Sequence, residues 1–155
     1  NVNLYTEIHC YLNIPDTSSR DSLFQAEARR CHDFITAIDN KPHTRMLCVF
    51  DELYSGTNPT EAVASAYGLL KYLHKQGNVD FILTTHFIEL CKELDKIDGM
   101  KNYHMKVKNI ENEFVYTYKI SKGISKVKGG IKVLRDMKYP QEIITEVEKM
   151  IKRCS

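Results

Sequence analysis

Asp51 and Glu52 stand side by side at the end of a short apolar run, Met46 to Phe50. Such a run, bounded by polar sequence, is too short for a free-standing helix and reads as a strand buried on both faces. A turn-forming stretch, Ser55 to Pro59, then breaks the chain before a helical segment. Carboxylates at the C-terminal end of a buried strand face the crevice in which open α/β sheets bind ligands. An apolar strand ending in Asp-Glu is the Walker B pattern, in which Asp51 holds Mg²⁺, usually through water, and Glu52 polarises the water that attacks a γ-phosphate. The same residues also fit a plain strand end whose Asp caps the following turn.

A second compact apolar run, Val79 to Thr85, ends at His86, 35 positions after Asp51. One helical segment lies between the two runs. A right-handed strand-helix-strand unit brings both strand ends out on the same edge of the sheet. A histidine there can reach a γ-phosphate or its attacking water. Alone it would be a polar cap; beside an Asp-Glu pair it becomes a candidate catalytic group.

The elements that must position these residues follow from periodicity. Leu4 to Leu12 alternates and is rich in β-formers, so it predicts a strand. Asn13 to Asp21 is a turn-rich loop, and Asp21 or Ser22 can cap a helix running to Ile38. Thr60 can cap the next helix, whose apolar stripe is Ala62, Val63, Ala66, Leu69, Leu70 and Leu73, and Gly77-Asn78 ends it. Phe87 to Leu94 reads as a short helix. Residues 102–109 and 113–120 read as an antiparallel hairpin, with Tyr116 and Tyr118 packing on one sheet face. Ile131 to Met137 is a short helix, and Pro140 opens an amphipathic last one that suits a core or dimer contact. Helices alternating with buried strands define an α/β layered domain with a largely parallel sheet. A single domain without a linker is expected.

Composition narrows the classes. The 155 residues are 43% hydrophobic, enough for one ordinary core, and the formal charge of +2 gives no separate argument for nucleic acid or a membrane surface. No apolar run approaches the roughly 20 residues needed to span a bilayer, and no signal-peptide pattern is present. Five cysteines, at positions 10, 31, 48, 91 and 154, show no C-x-x-C spacing and read as reduced packing residues of an intracellular protein. Arg29-Arg30 and the lysines from Lys122 to Lys132 read as solvated surface. Asn1 begins abruptly beside a strand-like segment, so the chain is expected to be a fragment.

The motifs resemble a known family in order and spacing over nearly the whole chain. Phe50 to Ala62 (FDELYSGTNPTEA) and Ile82 to Leu90 (ILTTHFIEL) look like the ATPase domain of MutS-type DNA mismatch-repair proteins, a branch of the ABC ATPases. The parts that match are a Walker B pair at Asp51-Glu52, a D-loop at Ser55 to Asn58, and a Thr-His-aromatic-x-Glu-Leu switch at Thr85 to Leu90. Upstream, Ser22, Phe24 and Glu27 match the family's signature helix, whereas Arg20 stands where the family has Gly and Leu23 where it has Thr. Downstream, Asn102 to Met105 resembles its Asn-x-His strand, and Gly129 to Pro140 its Gly-Ile-x-Val…Pro tail.

This resemblance implies a P-loop NTPase-like, ABC-type layered fold, incomplete at the N-terminus, with a C-terminal hairpin and helices. It implies ATP and Mg²⁺ as cofactors, with Glu52 and His86 catalytic, and Asp51 the metal residue. Two domains would associate head to tail, with Ser22 meeting the partner's nucleotide and Asn58 lying at the seam. The partner is then a second MutS-like ATPase subunit, and mismatched double-stranded DNA would be held by domains outside these residues. No G-x-x-x-x-G-K-[ST] loop occurs in the 155 residues, so the phosphate cradle is expected before Asn1. Two alternatives stay open: an ATPase piece of an SMC-like or transport ABC protein, and a non-catalytic dimerisation module of the same fold.

Overall fold

The computed structural model describes residues 4–12, 22–110, 113–127 and 129–153. The expected loop at 13–21, with Arg20 and the alternative cap Asp21, lies outside the described residues, as does Cys154. The chain forms two compact units, Asn1–Asn102 and Tyr103–Ser155.

In the first unit, β1 (Glu7–Tyr11), β2 (Met46–Asp51) and β3 (Val79–Thr84) pair in parallel in the order β1-β2-β3. Helix α1 (Leu23–Asp39) joins β1 to β2, and α2 (Pro59–Lys75) joins β2 to β3. Both connections step one strand in the same direction, so right-handed crossovers place both helices on the same face of the sheet. The core follows from this. Met46, Cys48 and Phe50 of β2 are fully buried with Cys31, Phe34 and Ile38 of α1 and Ala62, Ala66, Leu70 and Leu73 of α2. Helix α3 (Ile88–Leu94) adds Leu90 and Leu94 to the same cluster.

The expectation of a central strand buried on both faces is corrected here. Burial along β2 alternates, with Leu47, Val49 and Asp51 only half-buried. Their register partners on that face include Ile8, 64% exposed, and Ile82, 57% exposed. A sheet with both helices on one side leaves its other side open, and the apolar residues of β2 therefore serve two different environments.

Local sequence explains the helix boundaries. Ser22 caps α1 through a capping box: its hydroxyl accepts the Gln25 N–H, and the Gln25 side chain accepts the Ser22 N–H. Helix α2 starts earlier than its sequence suggests. Asn58, not Thr60, is the cap, accepting the Glu61 N–H at 3.0 Å, with Pro59 in the first helical position, where its missing N–H costs nothing.

The second unit holds an antiparallel hairpin, β4 (Tyr103–Ile110) and β5 (Glu113–Lys122), followed by α4 (Gly130–Asp136) and α5 (Gln141–Arg153). The hairpin register shifts between Met105 and Val107, and opposite that shift Tyr118 takes φ 56°, a left-handed conformation. The shift breaks the simple alternation read for Tyr116 and Tyr118. Both rings are exposed, Tyr118 at 85%, instead of packing on a common sheet face. In α5, Ile144 is buried while Ile143 and Met150 are exposed.

Candidate functional site

The acidic edge is built by the β2–β3 register. Asp51 is paired with Thr84, so the ends of both strands emerge together. Thr84 donates its hydroxyl to Asp51 Oδ1 in a short hydrogen bond. The next amide, Glu52 N–H, donates to the Thr84 carbonyl at 3.0 Å and approaches its hydroxyl oxygen at 3.3 Å. Asp51 and Thr84 share the open face of the sheet, away from the helices, because both continue the alternation that puts Phe50 and Leu83 on the other side.

Immediately after this point the backbone changes hand. Glu52 has φ 49° and Tyr54 φ 60°, left-handed values that cost a non-glycine residue free energy and persist only where surroundings impose them. Leu53 between them is fully buried, and Tyr54 packs its ring on Phe24 with centroids 5.5 Å apart. The turn thus sends Leu53 and Tyr54 inward and leaves the Glu52 carboxylate in solvent. His86 Nδ1 stands 3.6 Å from Glu52 Oε1, an ion-pair distance when the imidazole is protonated but too long for a hydrogen bond. Both side chains are open, His86 at 61% and Glu52 at 46% exposure, and the His86 ring rests against Phe87.

A second cluster joins α1 to the loop after β2. Glu27 is 2% exposed, and its carboxylate accepts three hydrogen bonds from that loop. Ser55 N–H and Ser55 Oγ donate to Oε1 at 3.0 and 3.1 Å, and Gly56 N–H donates to Oε2 at 3.1 Å. Gly56 sits directly on the first turn of α1: a Cβ there would meet Leu23 Cγ and the Phe24 nitrogen at 2.7 Å. Beneath the loop, burial pushes the Cys31 thiol up to about 11, moderated by its hydrogen bond with Tyr54. Burial likewise raises the Tyr54 and Tyr11 hydroxyls above the ordinary tyrosine range, the Glu27 charge adding to both effects.

Among the described residues, no three His, Cys, Asp or Glu side chains gather as a metal cage. A half-buried Asp51 carboxylate supported by a hydroxyl suits instead an ion that keeps most of its waters and takes one or two carboxylates from protein, as Mg²⁺ does. The site residues read from sequence therefore fall into two groups. Asp51, Glu52 and His86 meet at the sheet edge. Ser22 and Asn58 are each engaged as helix caps at the ends of segments that Glu27 draws together. Thr84 and the clamping part played by Glu27 carried no weight in the sequence reading. Glu27 had a legible signal: it is the charged member of the 27-31-34-38 series that forms the buried face of α1.

The chain as a whole has relatives. The family model described as MutS domain V matches residues 1–155. The chain belongs to the MutS domain V family. It is 30% identical over 118 residues to the DNA mismatch repair protein MutS of Aquifex pyrophilus, covering 76% of this chain and 14% of that protein. It is 26% identical over 152 residues to the protein of the same name from Bacteroides fragilis, covering 97% of this chain and 17% of the relative. The Clostridium kluyveri protein is 28% identical over 138 residues, covering 88% and 15%. The chain thus spans less than a fifth of the length of these relatives. No helix among the described residues is long and apolar enough to cross a membrane.

Proposed function

We propose that this chain supplies the hydrolytic edge of a MutS-like, P-loop NTPase-type ATPase of the ABC class, working in a dimer whose ATP cycle is coupled to mismatched-DNA recognition. The observation that carries this reading is the convergence of Asp51, Glu52, Thr84 and His86 at the shared end of β2 and β3. The open face of the sheet, lined by Ile8, Leu47, Val49 and Ile82, agrees with a further layer of such a fold covering it.

In this reading Asp51 is the Walker B aspartate, oriented by the Thr84 hydroxyl to hold water on Mg²⁺. The ion, when bound with ATP, offsets charge developing on the β- and γ-phosphoryl oxygens. Glu52, exposed by its left-handed backbone, accepts a hydrogen bond from the attacking water and aligns it with the γ-phosphate. His86 beside it donates to a γ-phosphate oxygen and, when protonated, pairs with Glu52 once that phosphate leaves. Ser22 and the α1 N-terminus face the nucleotide held by the partner subunit, where the positive end of the helix dipole favours an anion. Asn58 and its loop line the seam. The phosphate cradle comes from outside these residues, and so do the domains that hold mismatched double-stranded DNA.

The test is ATP turnover by the protein that carries this chain at its natural length, wild type against Glu52→Gln. Hydrolysis should fall by about 10²-fold or more while nucleotide binding survives. Equal rates in the two proteins would sink the catalytic reading and leave a dimerisation module of the same fold.

A further inference from the structure

Glu27 has a duty that neither catalysis nor ordinary packing explains. A carboxylate taken out of water is costly unless its lone pairs are satisfied. Here three donors come from two consecutive residues of one loop, Ser55 and Gly56, and the Tyr11 hydroxyl lies beside the same carboxylate. Two successive backbone N–H groups directed at one carboxylate form a chelate that only a single loop position fulfils. The absence of a side chain at Gly56 lets the loop close onto Leu23 and Phe24, in the first turn of the helix that carries Glu27.

The loop is also fastened one residue earlier. Tyr54 packs its ring on Phe24, so Tyr54, Ser55 and Gly56 are all held by α1. Only Leu53, buried in the core, separates this fastened segment from Glu52. The left-handed conformations at Glu52 and Tyr54 show that the backbone is held where it would not rest unaided.

We propose that Glu27 is a positioning residue: its buried carboxylate locks the Ser55–Gly56 loop to the first turns of α1 and so fixes where Glu52 stands. This rests on the proposed function, in which Glu52 aligns water and the N-terminus of α1 faces the partner's nucleotide. Through Glu27, displacement of α1 by that nucleotide moves the loop and the Glu52 backbone together. One subunit's helix end is thereby tied to its own hydrolytic carboxylate.

Glu27→Gln tests it in the natural-length protein. The amide is isosteric but presents N–H hydrogens where one acceptor stood, so at least one loop bond must be lost. The expected result is a fall in kcat of about tenfold or more, with KM for ATP changed less than about twofold. Backbone amide hydrogen exchange of the peptide spanning 52–58 should speed up, while peptides from β2 and α2 keep wild-type protection. Ser55→Ala removes only the hydroxyl donor and should give a smaller fall and a smaller gain in exchange. Unchanged kcat and unchanged exchange at 52–58 in Glu27→Gln would overturn the proposal, as would a melting-temperature drop with kcat intact. Should Glu27→Gln fail to fold, Ser55→Ala decides: wild-type kcat and wild-type loop exchange there would overturn it. Glu52→Gln run alongside separates the two readings. If that variant hydrolyses ATP like wild type, the catalytic reading has failed. If it is inactive while Glu27→Gln turns over normally, only the positioning role has failed.

Discussion

Thr84 gives its hydroxyl hydrogen to Asp51 across the β2–β3 ladder, and its carbonyl receives the N–H of Glu52. One residue of β3 thus holds the carboxylate of Asp51, the last residue of β2, and the backbone of Glu52 just after it. Thr84→Val keeps the shape and the β-branched preference for a strand but removes the donor. If Asp51 holds Mg²⁺ as proposed, the natural-length variant should need about 10-fold more Mg²⁺ for half-maximal ATP turnover, because a group supporting the proposed metal carboxylate is lost. Its stability should fall by only about 1 kcal/mol, one ordinary hydrogen bond. A Mg²⁺ titration of turnover together with urea unfolding separates the two effects.

Gly56→Ala should be more damaging than its size suggests. The added methyl would lie 2.7 Å from Leu23 Cγ and from the Phe24 nitrogen, and the backbone nitrogen cannot give way as a flexible side chain would. Forcing the loop from α1 stretches its hydrogen bonds to Glu27. A loss of about 1–3 kcal/mol is expected from overpacking of this kind. Denaturant unfolding measures it, and a variant as stable as wild type would contradict the close approach.

Lys138→Gly should stabilise the second unit. Lys138 has φ 57° just past the end of α4, its N–H donating to the Arg135 carbonyl and the following Tyr139 N–H to that of Leu134. This is a Schellman end with lysine in the left-handed position that glycine prefers. Removing the Cβ should gain about 0.5–1 kcal/mol, read as a shift in the urea midpoint.

The thiols should divide by burial. Cys10 is exposed, whereas burial pushes Cys31 and Cys48 each up to about 11 and raises Cys91 as well. Peptide mapping after brief alkylation at pH 8 should find Cys10 modified well ahead of Cys31 and Cys48. The linkage has a definite sign. Between an ordinary thiol value of 9 and the folded value of about 11, the unfolded chain loses these protons first. Stability from Cys31 and Cys48 is therefore intact below pH 9 and declines as pH rises towards 11, by at most about 3 kcal/mol per thiol. Denaturant midpoints measured from pH 8 to 11 would reveal it; a flat profile would count against burial of these groups.

Much of this molecule is written locally. The apolar run from Met46, the Asp51-Glu52 pair at its end and His86 after the next run specify two strands and their common edge, because alternation, helix periodicity and turn residues act over a few positions. The Ser22 cap was legible for the same reason. Asn58 was less so: with Pro59 and Thr60 following it, several residues could start α2, and the choice fell to the one whose oxygen reaches the Glu61 N–H.

Tertiary structure decided what depends on residues distant in sequence. Chain direction in the β1-β2-β3 sheet puts both connecting helices on one side, so β2 is covered on one face although its composition reads as buried on two. Thr84 reaches Asp51 over 33 positions and Glu27 reaches Ser55 over 28, contacts that exist only once strand register and helix docking are set. The left-handed turns at Glu52 and Tyr54 belong to the same class. Neither side chain favours that conformation by itself; burial of Leu53 and the packing of Tyr54 on Phe24 impose it. The sequence determined which residues could do chemistry, and docking of α1 against the loop after β2 determined how they are held.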